Sequence, residues 1–229
     1  MSPGKDDSYA DRMKRDWDER AAENARYYIA TDAWEDPEAF WASGLADVAH
    51  LFEGLEDLLH EGATAVDLGC GIGRMGRHVA PRVARWVGVD VSPVMLAKGR
   101  EALADLANAD FVETDGFTLA GLGDASVDLV YSLVTFQHLG PSVVAAYVAE
   151  ARRVLRPGGS LLFQVPGKGE GTPENPPDEE TFQTRFFDER ETVTALEAAG
   201  FARVEVTPWR IAGTPDWFRH YRFRAIAPT

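Results

Sequence analysis

The sequence predicts an α/β domain, with a mostly parallel sheet and helices on both of its faces. Three observations carry that expectation. Strand-like and helix-like runs alternate from about residue 63 onward. The run VDLGCGIGRMGRHVA, Val66–Ala80, reads as a buried strand, a glycine turn and a helix, and WVGVDVS, Trp86–Ser92, reads as a second strand ending on an acid. Helix punctuation then falls between strands: Ser92–Pro93 is an N-cap with proline at the first helical position, and Gly200 suits the residue just past a helix.

The elements follow in order. Residues 1–7 read as disordered. From about Ser8 to Ala30 the pattern is helical, with Met13, Trp17, Ala21, Asn24 and Tyr28 on one face. A second helix is expected from Pro37 to about Leu59, with Leu45, Val48, Phe52 and Leu55 as its stripe. Strands are expected near Ala63–Leu68, Trp86–Val89, Ala109–Glu113, Val127–Tyr131 and Ser160–Val165. Helices are expected near Arg74–Ala80, Pro93–Leu106, Pro141–Val154 and Glu189–Ala199, the last opened by an Asp188/Glu191 capping pair. Two more strands, about Arg203–Thr207 and Trp217–Ala227, close the chain. Gly167–Asp178, rich in Gly, Pro and Glu, is a loop at the carboxyl end of the fifth strand, which is the ligand edge of such sheets.

The glycine turn carries the chemistry. Gly69, Gly71 and Gly73 let the backbone bend sharply and let a ligand approach main-chain N–H groups. Asp90 ends the next strand, placed to accept from two ribose hydroxyls. This is the pattern of a nucleoside-cofactor site. Gly71–Gly76 spells GxGxxG, so a dinucleotide reading stays open. Asp90, however, follows too soon for the acid expected about 20 residues on. Asp67, two residues before Gly69, suits a ligand bearing positive charge, such as an ammonium or a sulfonium.

With Asp67 and Asp90 included, the pattern resembles the class I S-adenosylmethionine (SAM)-dependent methyltransferases. FVETDGF at Phe111–Phe117, SVDLVYSLVTFQHLGP at Ser126–Pro141, LRPGGSLLFQVPG at Leu155–Gly167 and FDERETVTALEAAGF at Phe187–Phe201 follow in the family's order. The resemblance implies a Rossmann-like, seven-stranded sheet with a final antiparallel hairpin. It also implies an N-terminal helical cap or lid over residues 1–60 and a SAM-binding core over 61–229. On the same resemblance, Gly69, Cys70, Gly71, Gly73 and Arg74 run along the methionine part of SAM. Asp67 meets its ammonium end, or only ties the glycine loop to neighbouring N–H groups. Asp90 and Val91 take the ribose, and Met95 packs on the adenine, or is simply core. Asp115 accepts from the adenine amino group with Gly116 and Phe117 nearby, or is a loop acid. Ser132 and Leu133 line the methionine side, and Tyr28 reaches the cofactor from the lid.

His138 follows the fourth strand, where the donor methyl is expected. It is either a base that removes a proton from the acceptor or a residue that packs under the next helix. Trp17, Tyr27, Trp34, Gln137 and Phe186 are candidates for the acceptor pocket, which is expected to be partly apolar. That favours a small-molecule acceptor. A protein or peptide acceptor, a SAM-binding protein without transfer, and a nicotinamide-dependent reductase remain as alternatives.

Composition narrows the classes further. The net charge of −14, with only four lysines, argues against broad nucleic-acid binding. No apolar run approaches the ~20 residues a membrane helix needs. The charged N-terminus lacks a signal-peptide core, and a lone Cys70 fits a cytoplasmic setting. No His, Cys, Asp and Glu spacing suggests a metal. A monomer or a homodimer is expected.

Overall fold

The computed structural model describes residues 8–209 and 218–229. The expected disorder of residues 1–7 and the start of the last strand at Trp217 lie outside them. Seven strands form one sheet: β1 (Thr64–Leu68), β2 (Arg85–Asp90), β3 (Ala109–Glu113), β4 (Val127–Ser132), β5 (Leu155–Gly167), β6 (Arg203–Trp209) and β7 (Arg219–Ile226). Their order is β3-β2-β1-β4-β5-β7-β6. The first five run parallel, and β7 lies antiparallel between β5 and β6. The order reverses between β1 and β4, so the loops at their carboxyl ends diverge and leave a crevice.

Helices cover both faces. They are α1 (Tyr9–Ile29), α2 (Pro37–Leu51), α3 (Gly76–Val79), α4 (Pro93–Ala102), α5 (Pro141–Val154) and α6 (Glu189–Ala198). One core, including Val66, Val87, Val130, Phe163 and Phe223, meets α5 and α6. The other, including Ala65, Trp86, Tyr131 and Leu162, meets α2 and α3. The strand residues alternate between the two, as the two-residue period requires. Among the described residues, no helix is long and apolar enough to cross a membrane.

Several expected elements differ. The second helix stops at Leu51, not near Leu59, and only a 3-10 turn, Glu56–Leu58, follows. Gly54 turns the chain at φ +71°, and the Arg222 guanidinium donates to the Leu51 and Glu53 carbonyls, closing the helix end. The expected stripe also misplaces Leu45, which is 55% exposed. The buried face is Phe40, Gly44, Val48 and Leu51, because Gly44 lies against Arg74: a Cβ there would sit 2.5 Å from the Arg74 carbonyl oxygen. The expected helix Arg74–Ala80 is a single turn, α3, run into a 3-10 turn that contains Pro81. The fourth helix ends at Ala102, short of Leu106. Conversely, β5 extends beyond Ser160–Val165 in both directions, and β6 runs on to Trp209.

Helix α1 is broken at Asn24, whose backbone (φ −162°, ψ 89°) is not helical. Its side-chain Oδ1 accepts from the Tyr27 N–H at 3.2 Å and so caps the final turn. The break rotates the last turn, so Met13, Ala21 and Ala25 are buried rather than a continuous stripe through Tyr28.

Candidate active site

A cavity occupies the crevice at the switch between β1 and β4, within about 960 Å³ of empty space that includes the open solvent at its mouth. At one end stands the glycine turn. The Gly69 and Cys70 N–H groups both donate to the Val89 carbonyl, at 2.8 and 3.0 Å, which draws the turn across the end of β2. Gly69 and Gly71 hold φ of +78° and +54°. A Cβ on Gly69 would lie 2.3 Å from the Thr135 side chain, and one on Gly71 would lie 2.7 Å from Ile29 Cδ1. Only glycine keeps both the turn and its close packing.

Asp90 locks this turn to the next loop. Its Oδ2 accepts from the Gly71 N–H at 2.9 Å and its Oδ1 from the Ser92 N–H at 2.9 Å. Each oxygen keeps a further acceptor position, and the residue lines the cavity. Burial raises its pKa against those N–H bonds. Asp67 also lines the cavity and is 4% exposed. Its Oδ2 accepts from the Tyr131 hydroxyl at 3.0 Å, and that hydroxyl accepts from Trp86 Nε1 at 2.7 Å. Burial pushes the Asp67 carboxyl up to about 7, against the Tyr131 bond and the Arg74 charge. No cation pairs with Asp67 among the described residues: Arg74 instead meets Asp47 Oδ2 at 2.6 Å and donates to Ser43 Oγ at 2.9 Å. A buried carboxylate facing a cavity without a counter-ion suits a cationic ligand group.

The other end is built around His138. Its ring stacks on Phe182 (centroids 5.7 Å, planes 9° apart) and meets Trp17 edge-on at 6.0 Å. Trp17 and Tyr28 also contact Phe182, at 6.3 and 5.8 Å. Burial pulls the His138 pKa down to about 4, against backbone groups of Phe182 and Gln183, so the imidazole is neutral at pH 7. Its Nδ1 is buried without a hydrogen-bond partner. Val134, on the same wall, holds φ +59°, a strained conformation for a β-branched residue.

Helix α1 roofs the cavity. Asp18 Oδ1 accepts from Ser92 Oγ at 2.6 Å, Lys14 pairs with Glu113, and Lys98 Nζ donates to the Ala21 carbonyl at 2.6 Å. On the far side, Tyr9 accepts from the Gly140 N–H at 3.0 Å and Asp16 accepts from Thr181 Oγ1 at 2.7 Å.

Of the sequence-predicted residues, the structure brings Trp17, Tyr28, Asp67, Gly69, Cys70, Gly71, Arg74, Asp90, Val91, Met95, Leu133 and His138 to the cavity wall. Gly73, Gly116, Phe117 and Ser132 are not part of that wall. Ser132 Oγ donates to the Leu68 carbonyl at 2.8 Å, tying β4 to β1. Asp115 is exposed, and its Oδ1 accepts from the Phe117 and Thr118 N–H groups at 2.9 and 2.7 Å. Partial burial raises its pKa, but those bonds outweigh it and hold the carboxyl low. Tyr27 and Trp34 pack edge-on with each other at 5.7 Å, away from the wall. Gln137 reaches His138 Nε2 at 3.3 Å, and Phe186 is tied by its backbone to Asn175.

Sequence reasoning missed Met13, Ile29, Thr114, Thr135 and Tyr147, which also line the cavity. Thr114 sits beside Asp115 in the expected adenine segment and was the nearest signal. Tyr147 on α5 lies against Thr114 Oγ1 at 3.3 Å and carries no motif.

Known proteins resemble the chain in sequence and in fold. Residues 65–159 match the model of the methyltransferase domain family. A probable S-adenosylmethionine-dependent methyltransferase of Mycolicibacterium smegmatis is 33% identical over 147 residues, 61% of this chain and 52% of that protein. A trans-aconitate 2-methyltransferase of an Azoarcus species is 38% identical over 113 residues, 47% of this chain and 41% of the relative. A Haemonchus contortus phosphoethanolamine N-methyltransferase 2 solved with S-adenosyl-L-methionine superposes with a TM-score of 0.73 at 20% identity, over 99% of this chain and 61% of that one, and shows the shared fold. Residues 65–159 therefore resemble a methyltransferase domain, and relatives named as methyltransferases are similar to the chain over about half of its length. The chain spans about half the length of the curated relatives it matches.

Proposed function

We propose that the chain is a methyltransferase that moves a methyl group from SAM to a small organic acceptor held under α1. The observation that carries this reading is the pair Asp67 and Asp90 flanking the glycine turn at one end of a closed-over cavity. The residues fit the cofactor. Asp90 keeps acceptor positions for two ribose hydroxyls, Asp67 lacks a cation, and glycines stand where any side chain would fill the cradle. Met95 and Val91 would face the adenosine, and Thr114 and Tyr147 would close the adenine end. Asp115 would reach the adenine amino group from outside the wall. SAM supplies an electrophilic methyl on a sulfonium.

The chain's own task is to position and to exclude water. Residues 8–60 act as the cap, because α1 is pinned to both sides of the crevice. The acceptor enters at the aromatic end, where neutral His138 is available as a proton acceptor. Relatives named for dimethylglycine and trans-aconitate support a small acceptor. The test has two parts: calorimetric binding of SAM and S-adenosylhomocysteine (SAH), and transfer of isotopically labelled methyl to a panel of small acceptors. Binding with transfer sustains the reading. Binding without transfer to any small acceptor, or no binding at all, removes it.

A further inference from the structure

Beyond Asp90 the cavity wall holds a polar pair that no motif announced. Thr114 follows β3 and Tyr147 stands on α5; both line the cavity, and Tyr147 is 4% exposed. Their hydroxyl oxygens lie 3.3 Å apart, and among the described residues this is the one hydrogen bond that Tyr147 makes. The other bonds of Thr114 decide which hydroxyl gives the proton. Thr114 Oγ1 donates to the Thr118 carbonyl at 2.5 Å and accepts from the Gly116 N–H at 3.2 Å. A threonine hydroxyl has one proton and two acceptor positions. Its proton is on the Thr118 carbonyl and one position is filled by Gly116, so Tyr147 donates into the other. The phenol oxygen is then left with a lone pair and no proton to give. Burial raises the Tyr147 pKa against the Thr114 bond, and the Asp90 and Asp115 charges add to the rise, so the hydroxyl keeps its proton at neutral pH.

The backbone donors beside that lone pair are already engaged. The Gly116 N–H serves Thr114 Oγ1, and the Phe117 and Thr118 N–H groups serve Asp115 Oδ1. A buried oxygen at a cavity wall, unmatched within the protein, suits a ligand N–H. Its place along the sheet says which one. Asp67 is on β1, Asp90 ends β2, and the Thr114 N–H, past the end of β3, donates to the Asp90 carbonyl at 3.0 Å. Those strands are neighbours in the order β3-β2-β1. The wall therefore runs from the carboxyl suited to a cation, through the one suited to a ribose, to the hydroxyl pair. In an adenosine the group beyond the ribose is the base, and its exocyclic amino group is the donor.

We infer that Tyr147 reads the base of the cofactor: its hydroxyl oxygen accepts from the adenine amino group, so that the site takes a 6-aminopurine and discriminates against a 6-oxopurine. This rests on the methyltransferase reading and deepens it. The amino group has two N–H bonds. Asp115, at the exposed rim, serves the outer one. Tyr147 serves the inner one, where an unmatched group is most costly. A 6-oxopurine sets a carbonyl oxygen against the phenol oxygen. To donate to it, Tyr147 has to abandon Thr114 Oγ1, so one acceptor stays unfilled in either arrangement. A site built for a donor rejects the analogue that lacks it.

SAH and its 6-oxo analogue, S-inosylhomocysteine, separate the possibilities when each is titrated calorimetrically into the unmodified protein. SAH is expected to bind at least about tenfold more tightly. Tyr147→Phe keeps the ring and leaves Thr114 bonded to Gly116 and Thr118. It is expected to weaken SAH several-fold, to leave S-inosylhomocysteine within about twofold, and so to reduce the preference to about threefold or less. Thr114→Val removes the acceptor that holds the phenol proton. Tyr147 is then free to turn that proton to the 6-oxo group, and the preference is expected to narrow through tighter binding of S-inosylhomocysteine. A mere packing role for Tyr147 would not produce that gain. Three results overturn the assignment: equal binding of the two compounds by the unmodified protein, a preference that survives Tyr147→Phe undiminished, or one that survives Thr114→Val undiminished. The first comparison uses the unmodified protein, so it stands even where a variant fails to fold. Failure of SAH itself to bind overturns the methyltransferase reading instead, which keeps the two failures distinct.

Discussion

The two ends of the cavity are assembled by different means. The cofactor end comes mainly from one stretch, Asp67 to Met95, and its key contacts are backbone N–H groups converging on the Val89 carbonyl and the Asp90 carboxylate. The acceptor end is a meeting of three distant segments: α1, the turn after β4, and residues 175–186. There the joints are side chains that reach across the chain, such as Asp16 to Thr181 and Tyr9 to Gly140. The first end is rigid by geometry and general in chemistry. The second is held by removable contacts and is where acceptor choice resides. Each end is therefore expected to fail alone.

The largest separation comes from Asp90→Ala. It leaves the Gly71 and Ser92 N–H groups unpaired and removes the ribose acceptor. SAH affinity measured by calorimetry is expected to fall on the order of 100-fold, the equivalent of about 3 kcal/mol for two charge-assisted hydrogen bonds. An unchanged affinity would remove the ribose assignment. Arg185→Met is the counterpart at the other end. It strips the donor from four carbonyls of a buried segment, at a cost of about 3 kcal/mol, or a fall in Tm of roughly 6–12 °C. SAH affinity below Tm is expected to stay within about threefold, while methyl transfer to a small acceptor is lost. Loss of both together would show that the ends are not separable.

Gly71→Ala probes a place where the ends touch, because its Cβ would press on Ile29 of α1. Left-handed backbone costs an alanine about 1–2 kcal/mol, so Tm is expected to fall about 4 °C and SAH affinity to weaken several-fold. A variant with wild-type Tm and affinity would show that the turn tolerates a side chain.

Asp67 gives a pH signature confined to the cofactor end. Its folded pKa, near 7, stands above the ordinary carboxyl value, with Tyr131, Arg74 and Asp90 as the groups that bear on it. The stability this contributes is full below the unfolded pKa of about 4 and is lost as pH rises through 7. Ligand binding runs the other way, because an ammonium prefers the ionised carboxylate. SAH affinity is expected to rise about five- to tenfold between pH 6 and pH 8, and to lose that rise in Asp67→Asn. The smallest effect is expected of Asn24→Ala, which removes the cap on the final turn of α1 and costs about 1 kcal/mol at most at this exposed position.

The same contrast decides what the sequence disclosed. The strand, turn, strand unit around Gly69–Gly73 and Asp90 was legible because its geometry is set by neighbours within a few residues. The mostly parallel sheet with helices on both faces followed from the alternation of strands and helices along the rest of the chain. Helix ends were less legible where a distant group helps set them: beside the nearby Gly54 turn, Arg222 on the Leu51 and Glu53 carbonyls closes the end of α2 from about 170 residues away. Leu45 was assigned to the core because it fits the periodicity, whereas the close approach of Gly44 to Arg74 turns the helix to another face. At the acceptor end, Trp17 and His138 were found as residue types. Arg185 and Phe182 as a supporting pair were not, because their partners lie in other segments and carry no spacing.

The measurement that bears most directly on the central claim is calorimetric titration of the purified protein with SAM, SAH and NADH. The account predicts that SAM and SAH bind, that NADH does not, and that Asp90→Ala weakens both. Binding of NADH with no response to SAM or SAH would contradict it and return the glycine turn to a dinucleotide.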